Sequence, residues 1–154
     1  MGYWLFKSEP FKWSWEMQKN RGDAGEQWDG VRNYQARNFM RDSMEIGDQA
    51  FFYHSNCPDT GIVGIVEIAS EAYPDHTALD PKDPHYDPKS EPANPRWCMV
   101  DVRFSRKLRR TISLAELKLH ADGKLSGMQL LMRGNRLSVM PIEEKHWHFI
   151  LGLE

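Results

Sequence analysis

The run Ile62-Val63-Gly64-Ile65-Val66-Glu67-Ile68 constrains the fold more than any other stretch of this chain. Side chains on a β-strand alternate between two faces, so a strand apolar at consecutive positions has both faces to bury. Such a strand belongs in the middle of a sheet that is covered on each side. Three other segments read as strands around it. Tyr3-Trp4-Leu5-Phe6-Lys7 and Gln49 to Ser55 are rich in β-forming aromatics. Trp97 to Phe104 alternates, with Val100, Val102 and Phe104 on one face and Trp97, Met99, Asp101 and Arg103 on the other. Arg136 to Val139 supplies a closing strand.

Helical signals are short and scattered between these strands. Phe11 to Asn20 forms one candidate helix. A second is capped by Asn33, with no Pro or Gly until Gly47. Ser113-Leu114-Ala115-Glu116 has capping-box spacing, and Gly127 to Met132 makes a further helical turn. Pro141 suits the first turn of a final helix with the stripe Ile142, His146, Phe149, Ile150, Leu153. Five or six strands with so few, unevenly placed helices predict an α+β domain, a curled sheet or small β-barrel with flanking helices. A doubly wound βαβ fold is excluded. No internal repeat is present.

A chain of 154 residues is expected to form one domain with a sizeable core. No apolar run reaches membrane-spanning length, and since Tyr3-Trp4-Leu5-Phe6 follows at once on the first two residues, no cleavable signal is expected. Two cysteines, Cys57 and Cys98, make no disulfide framework, so a cytoplasmic location is expected. A net charge of −2 argues against coating DNA by bulk electrostatics. The mean conceals an asymmetry. Arg103, Arg106, Lys107, Arg109 and Arg110 crowd one segment, a strip suited to a few phosphates or simply to solvation. Asp80, Asp83, Asp87 and Glu91 crowd another, inside a Pro/Asp-rich excursion from Pro74 to Pro95. A loop of that length is more often functional or mobile.

The stretch from Trp28 to Arg41 is where a site would form. Asp29-Gly30 is a turn dipeptide, because glycine accepts positive φ without a steric penalty. Beyond Asn33, Tyr34, Arg37 and Arg41 share one helical face, backed by Ala36, Phe39, Met40 and Met44. An aromatic at the turn with arginines on the following helix fits a nucleobase and its phosphates. The same pattern also fits core aromatics beneath a solvated face.

Other chemistry is sparse. His54 and Cys57 lack a second ligand pair at zinc spacing, and His146 and His148 diverge on a helix, so no metal is expected. Phosphate-binding glycine loops and a nucleophile elbow are absent, and no cofactor is expected. Lys7 and Glu9 point to one side of their strand and Ser8 to the other. This suits an ion pair or a polar ligand better than hydroxyl activation. Tyr53-His54-Ser55 ends a strand, as Ser8 does, and Trp97 begins one. Their convergence near Trp28 would build a ring-walled pocket.

Three strings carry a family resemblance: Tyr3 to Pro10, Trp28 to Asn38, and Phe52 to Ser55. Gly61 to Ile65, Asp80-Pro81, Trp97 with Val100-Asp101-Val102, and Arg136 to Val139 with Pro141 extend it over essentially residues 1–154. The chain resembles the EVE domain. The resemblance implies a PUA-like β-barrel related to YTH and ASCH domains, acting as a reader without chemistry. The expected ligand is a modified base, modified cytosine in DNA being favoured, in an aromatic-lined pocket. It places that pocket at Lys7, Ser8, Glu9, Trp28, Asp29, Gly30, Val31, Arg32, Asn33, Tyr53, His54, Ser55, Trp97 and Ser138. Tyr34, Arg32, Arg37, Arg41, Arg103, Arg106, Lys107, Arg109 and Arg110 would then meet phosphates. RNA is the alternative partner, and a small nucleobase amidohydrolase using Lys7 and Glu9 is the enzymatic alternative. A monomer without membrane contact is expected.

Overall fold

The computed structural model describes residues 2–154. The strand from Gly61 to Ile68 lies inside a six-stranded sheet and is buried at every position except Glu67. Numbered along the chain, the strands are β1 (Tyr3–Ser8), β2 (Glu26–Gln27), β3 (Gln49–His54), β4 (Gly61–Ile68), β5 (Tyr73–Pro74), β6 (Cys98–Met99), β7 (Asp101–Ser113) and β8 (Val139–Pro141). The large sheet has the order β2-β7-β4-β3-β1-β8, and β5 pairs with β6 in a separate two-stranded sheet. β1 and β3 run parallel, and their register places Tyr3 beside Gln49 and Ser8 beside His54. Register shifts interrupt β3–β4 at Phe52/Tyr53 and β4–β7 at Ile62/Gly64 and Ile65/Val66. Such bulges bend strands, and the sheet curls into a half-barrel whose outer edges are β2 and β8.

Alternation along β3 shows how both faces are filled. Phe51 stacks on Trp147 at 3.9 Å between centroids, and Trp147 belongs to helix α4 (Glu144–Leu151), the last of four. Phe52 turns the other way. It meets Trp28 edge-on at 5.6 Å and Trp15 at 5.3 Å. Trp15 opens helix α1 (Trp15–Arg21), which Ser14 caps by accepting from the Met17 N–H. α1 approaches the sheet so closely that a Cβ at Gly64 would lie 2.3 Å from the Trp15 ring. Only glycine fits there.

The two predicted caps form. Asn33 accepts from the Ala36 N–H at the start of α2 (Tyr34–Asn38), and Ser113 from the Glu116 N–H at the start of α3 (Leu114–Lys118). Several boundaries differ from expectation. The Asn33 helix widens into a π-turn over Phe39–Ser43, closed by the Met44 N–H on the Phe39 carbonyl. The predicted Trp97–Phe104 strand is divided. Cys98–Met99 pairs with Tyr73–Pro74, while β7 runs on to Ser113 and takes the basic segment with it. Pro141 ends edge strand β8, where its missing N–H costs nothing, and the final helix starts three residues later. No helix among the described residues is long and apolar enough to cross a membrane.

Gly64→Ala is expected to lower stability by about 1–3 kcal/mol, because Trp15 is hemmed in by Phe52 and Phe104 and cannot yield freely. Urea unfolding of the two proteins measures this.

Candidate functional site

The turn after β2 is pinned from both sides. The Trp28 N–H donates to the Val100 carbonyl at 2.8 Å. Gly30 takes φ +78°, and its N–H donates to Asp75 Oδ2 at 2.9 Å. A Cβ on Gly30 would stand 2.6 Å from His85 Nε2, so the imidazole sits directly on the turn. Arg32 completes the clamp. It pairs with Asp75 Oδ2 at 2.9 Å and donates to the His85 carbonyl at 3.0 and 2.7 Å. Asp75 is fully buried. Burial pushes its carboxyl up, but the Thr77 hydroxyl, the Gly30 N–H and the Arg32 guanidinium outweigh that and hold it below its ordinary value. The front of the Pro/Asp-rich excursion is thereby folded onto the Trp28 turn and delivers His85 to it.

Beside this turn lies a cavity of about 470 Å³, lodged between the open edges of the half-barrel. From the β2 side come Glu26, Gln27, Trp28 and Asp29; from the β1–β8 side come Lys7, Ser8, Glu9, Arg136 and Ser138. Lys12, Trp13, Ser55 and His85 complete the lining. Main-chain bonds fix the far wall, with the Lys7 N–H on the Ser138 carbonyl at 2.8 Å and the Ser55 N–H on the Ser8 carbonyl at 2.9 Å. The Ser8 hydroxyl donates to the Trp13 carbonyl. Trp28, itself edge-on to Phe6 at 5.1 Å, presents a rigid aromatic border.

The charges in the cavity divide into paired and unpaired. Glu9 bonds Asn56 at 2.8 Å and Lys12 at 3.1 Å, which hold its carboxyl below the usual range. Lys7 and Asp29 have no side-chain partner among the described residues. Partial burial lowers the Lys7 ammonium and raises the Asp29 carboxyl, the latter aided by the nearby Asp75 charge. With Arg136, which also makes no hydrogen bond or ion pair among the described residues, the site presents two unpaired cations, one unpaired carboxylate and an indole.

Of the residues predicted for the pocket, Lys7, Ser8, Glu9, Trp28, Asp29, Ser55 and Ser138 meet around this cavity. The others lie behind it. Gly30, Val31, Arg32 and Asn33 build the turn. Tyr53 is buried, and burial pushes its hydroxyl up to about 12. His54 Nε2 accepts from the Trp15 N–H at 3.0 Å, so the ring is neutral, and burial lowers its pKa. Trp97 donates to Asp87 at 2.7 Å and stacks on Tyr34 at 4.8 Å. Lys12, Trp13, Glu26, Gln27, His85 and Arg136 were not foreseen. The spacing Trp13-Ser14-Trp15 is the signal that could have singled out one of them.

The predicted phosphate contacts lie away from the cavity. Tyr34, Arg37 and Arg41 border a separate polar cleft with Lys89 and Arg96. There Arg37 covers Tyr34 and donates to Asn38 and the Arg96 carbonyl, and Arg41 pairs with Asp42 at 2.8 Å. On β7, Arg103 pairs with Glu67, Arg106 with Glu154 and Arg110 with Glu116, each at 2.6 Å. The Arg109 N–H also donates to Glu154. The Arg106 guanidinium pulls the Glu154 carboxyl down to about 2. Among the described residues no cluster of His, Cys, Asp or Glu is arranged to hold a metal ion.

The six-stranded curled half-barrel with its flanking helices is the fold of EVE and PUA-like structures. The chain belongs to the EVE-domain family, whose model matches residues 2–153. Chicken thymocyte nuclear protein 1 is 51% identical over 167 aligned positions, covering 99% of this chain and 68% of that protein. Human THYN1 protein, solved in complex with 5-methylcytosine-containing DNA, superposes with a TM-score of 0.94 at 46% identity, covering 99% and 97% of the two chains. A Pseudomonas syringae protein superposes with a TM-score of 0.92 at 44% identity, covering 98% of each chain.

Asp75→Ala leaves the Arg32 guanidinium without its buried partner and is expected to cost about 3–5 kcal/mol in urea unfolding. Glu154 supplies a pH-dependent term. Its carboxyl is held below its ordinary value, so the contribution is full above that value and is lost as pH falls through about 2. In Glu154→Gln, the deficit seen at neutral pH should therefore shrink on acidification from about pH 5 toward pH 2, read from melting temperatures.

Proposed function

We propose that this chain, acting as one EVE domain, is a reader of modified DNA that holds a single flipped base and makes or breaks no bond. The observation that carries this reading is the lining of the cavity. Trp28, a core indole that borders the space, gives it an apolar wall, Asp29 an unpaired acceptor and Lys7 an unpaired donor within one 470 Å³ space. The lining is mostly polar, with Trp13 and Trp28 as its apolar members, which suits a flat ring with several hydrogen-bonding edges. A nucleobase matches that description. Stacking on an aromatic is worth about 1–3 kcal/mol, comparable to the cost of unstacking a base from a duplex.

The polar pair favours cytosine. Its exocyclic amine donates, which suits Asp29, and its ring nitrogen and carbonyl accept, which suits Lys7. Thymine would turn a carbonyl toward the carboxylate. The human relative bound to 5-methylcytosine-containing DNA supports the same ligand class.

Calorimetry with duplexes differing only in one base tests this. 5-Methylcytosine should bind more tightly than cytosine and than thymine, each placed opposite an abasic site to equalise unpairing. Trp28→Phe should weaken the modified duplex several-fold while retaining the core contacts with Phe6 and Phe52. Asp29→Asn, which breaks no internal bond, should reduce the preference over thymine by about tenfold. Equal binding to all three duplexes overturns the proposal.

A further inference from the structure

A base held in the Trp28 cavity brings its own two phosphates to the rim, so the rim needs cations not already neutralised. Most of the arginines fail that test. Arg21, Arg32, Arg41, Arg96, Arg103, Arg106 and Arg110 each face a carboxylate, and Arg37 is held by Asn38 and a main-chain carbonyl. Arg109 sits in a cleft shared with Glu154. Of the arginines, Arg133 and Arg136 remain; of the lysines, only Lys7 and Lys12 line the cavity, Lys7 being partly buried within it and Lys12 already facing Glu9. Neither arginine makes a hydrogen bond or ion pair among the described residues, and both are exposed.

Their setting is built rather than loose. The pair projects from the segment between the Gln129–Leu131 turn and β8. Asn135 lies between them and ties that segment down. Its side-chain amide donates to the Gln129 carbonyl at 2.6 Å, and its oxygen accepts from the Leu137 N–H at 2.9 Å. Gly134 turns the chain at φ +77°. The cleft beside this turn, about 380 Å³, is lined by both arginines and by the amides of Asn33, Gln35 and Gln129, with no carboxylate. Arg136 lines this cleft and the Trp28 cavity alike, so the two are continuous through its side chain.

We propose that Arg133 and Arg136 grip the phosphodiester backbone next to the flipped base, making the Met132–Ser138 segment the element that docks the chain on DNA. The assignment rests on the reading that a base occupies the Trp28 cavity. Guanidinium groups bind phosphate oxygens through paired N–H donors, and neutral amides add hydrogen bonds without repelling the anion. A turn locked by its own asparagine holds these donors in place before DNA arrives, so little ordering remains for the binding step. The carboxylate-paired β7 arginines contribute to the fold instead.

Salt-dependent affinity for the 5-methylcytosine duplex separates the alternatives. Each lost phosphate contact removes about 0.9 from the slope of log K against log salt, equivalent to about fivefold in affinity at 0.15 M. Arg133→Ala and Arg136→Ala should each show that loss, and the double variant about thirtyfold. In Arg133→Ala, whose side chain lies outside the Trp28 cavity, the ratio of modified to unmodified binding should not change, and the melting temperature should change in neither variant. Arg103→Ala and Arg110→Ala should leave the slope as in the wild type. An unchanged slope in the double variant, with base discrimination intact, overturns the grip and leaves the reader standing. A wild type that binds every duplex equally, yet loses slope on these substitutions, keeps the grip and removes the base reading. Absence of any DNA binding by the wild type ends both.

Discussion

The buried carboxylate of Asp75 is the contact on which the site depends. A charge inside a protein is tolerable only when hydrogen-bonded and paired, and Asp75 meets that demand by drawing in groups from distant parts of the chain. The Gly30 N–H and the Arg32 guanidinium come from one side, and the Thr77 N–H and hydroxyl from the other. Satisfying one anion thus fixes the Trp28 turn and the front of the Pro/Asp-rich loop relative to each other. Arg32 carries the effect further by gathering the His85 carbonyl, which seats the imidazole over Gly30. The result is a cavity wall made of loop but held from the interior.

The other condition for a cavity is that the barrel does not close. β2 has two residues and β8 three, and neither pairs with the other. Complete closure would fill the interior with side chains, as small barrels do. Here the gap between the edges is bordered by Trp28, whose contacts with Phe6 and Phe52 join it to the core. Short edges also limit the unpaired backbone offered to other strands. One feature therefore creates space for a ligand and limits a liability of open sheets.

How much of this was legible in the sequence follows from the range of each interaction. The centrality of β4 and the caps at Asn33 and Ser113 obey local rules and could be read directly. The long matching strings identified the family, and with it the curled sheet and the seven pocket residues that do meet. Positions controlled by distant partners were not legible. His54 reads as a polar strand end, yet its acceptor is taken by Trp15, 39 residues away. Arg32 has a cation's chemistry but spends it on Asp75, 43 positions on. The length of β7 escaped because its exposed basic residues mask the period of two, and Pro141 because an edge strand tolerates proline as readily as a helix start does. Lys12, His85 and Arg136 carry no local mark; topology alone brings them to the cavity.

Charge counting fails in this protein for the same reason. The densest basic run looks like a phosphate surface, but Glu67, Glu116 and Glu154 each stand 2.6 Å from one of its arginines. An exposed ion pair adds little stability, yet it removes nearly all of the field a distant anion would feel. What a polyanion can use is the cation left without a partner, and sequence density says nothing about that. Arg133 and Arg136 occupy an inconspicuous segment near the end of the chain, in a cleft free of carboxylates and contiguous with the cavity. A chain of net charge −2 can therefore present a local, uncancelled pair of positive charges where a backbone would pass.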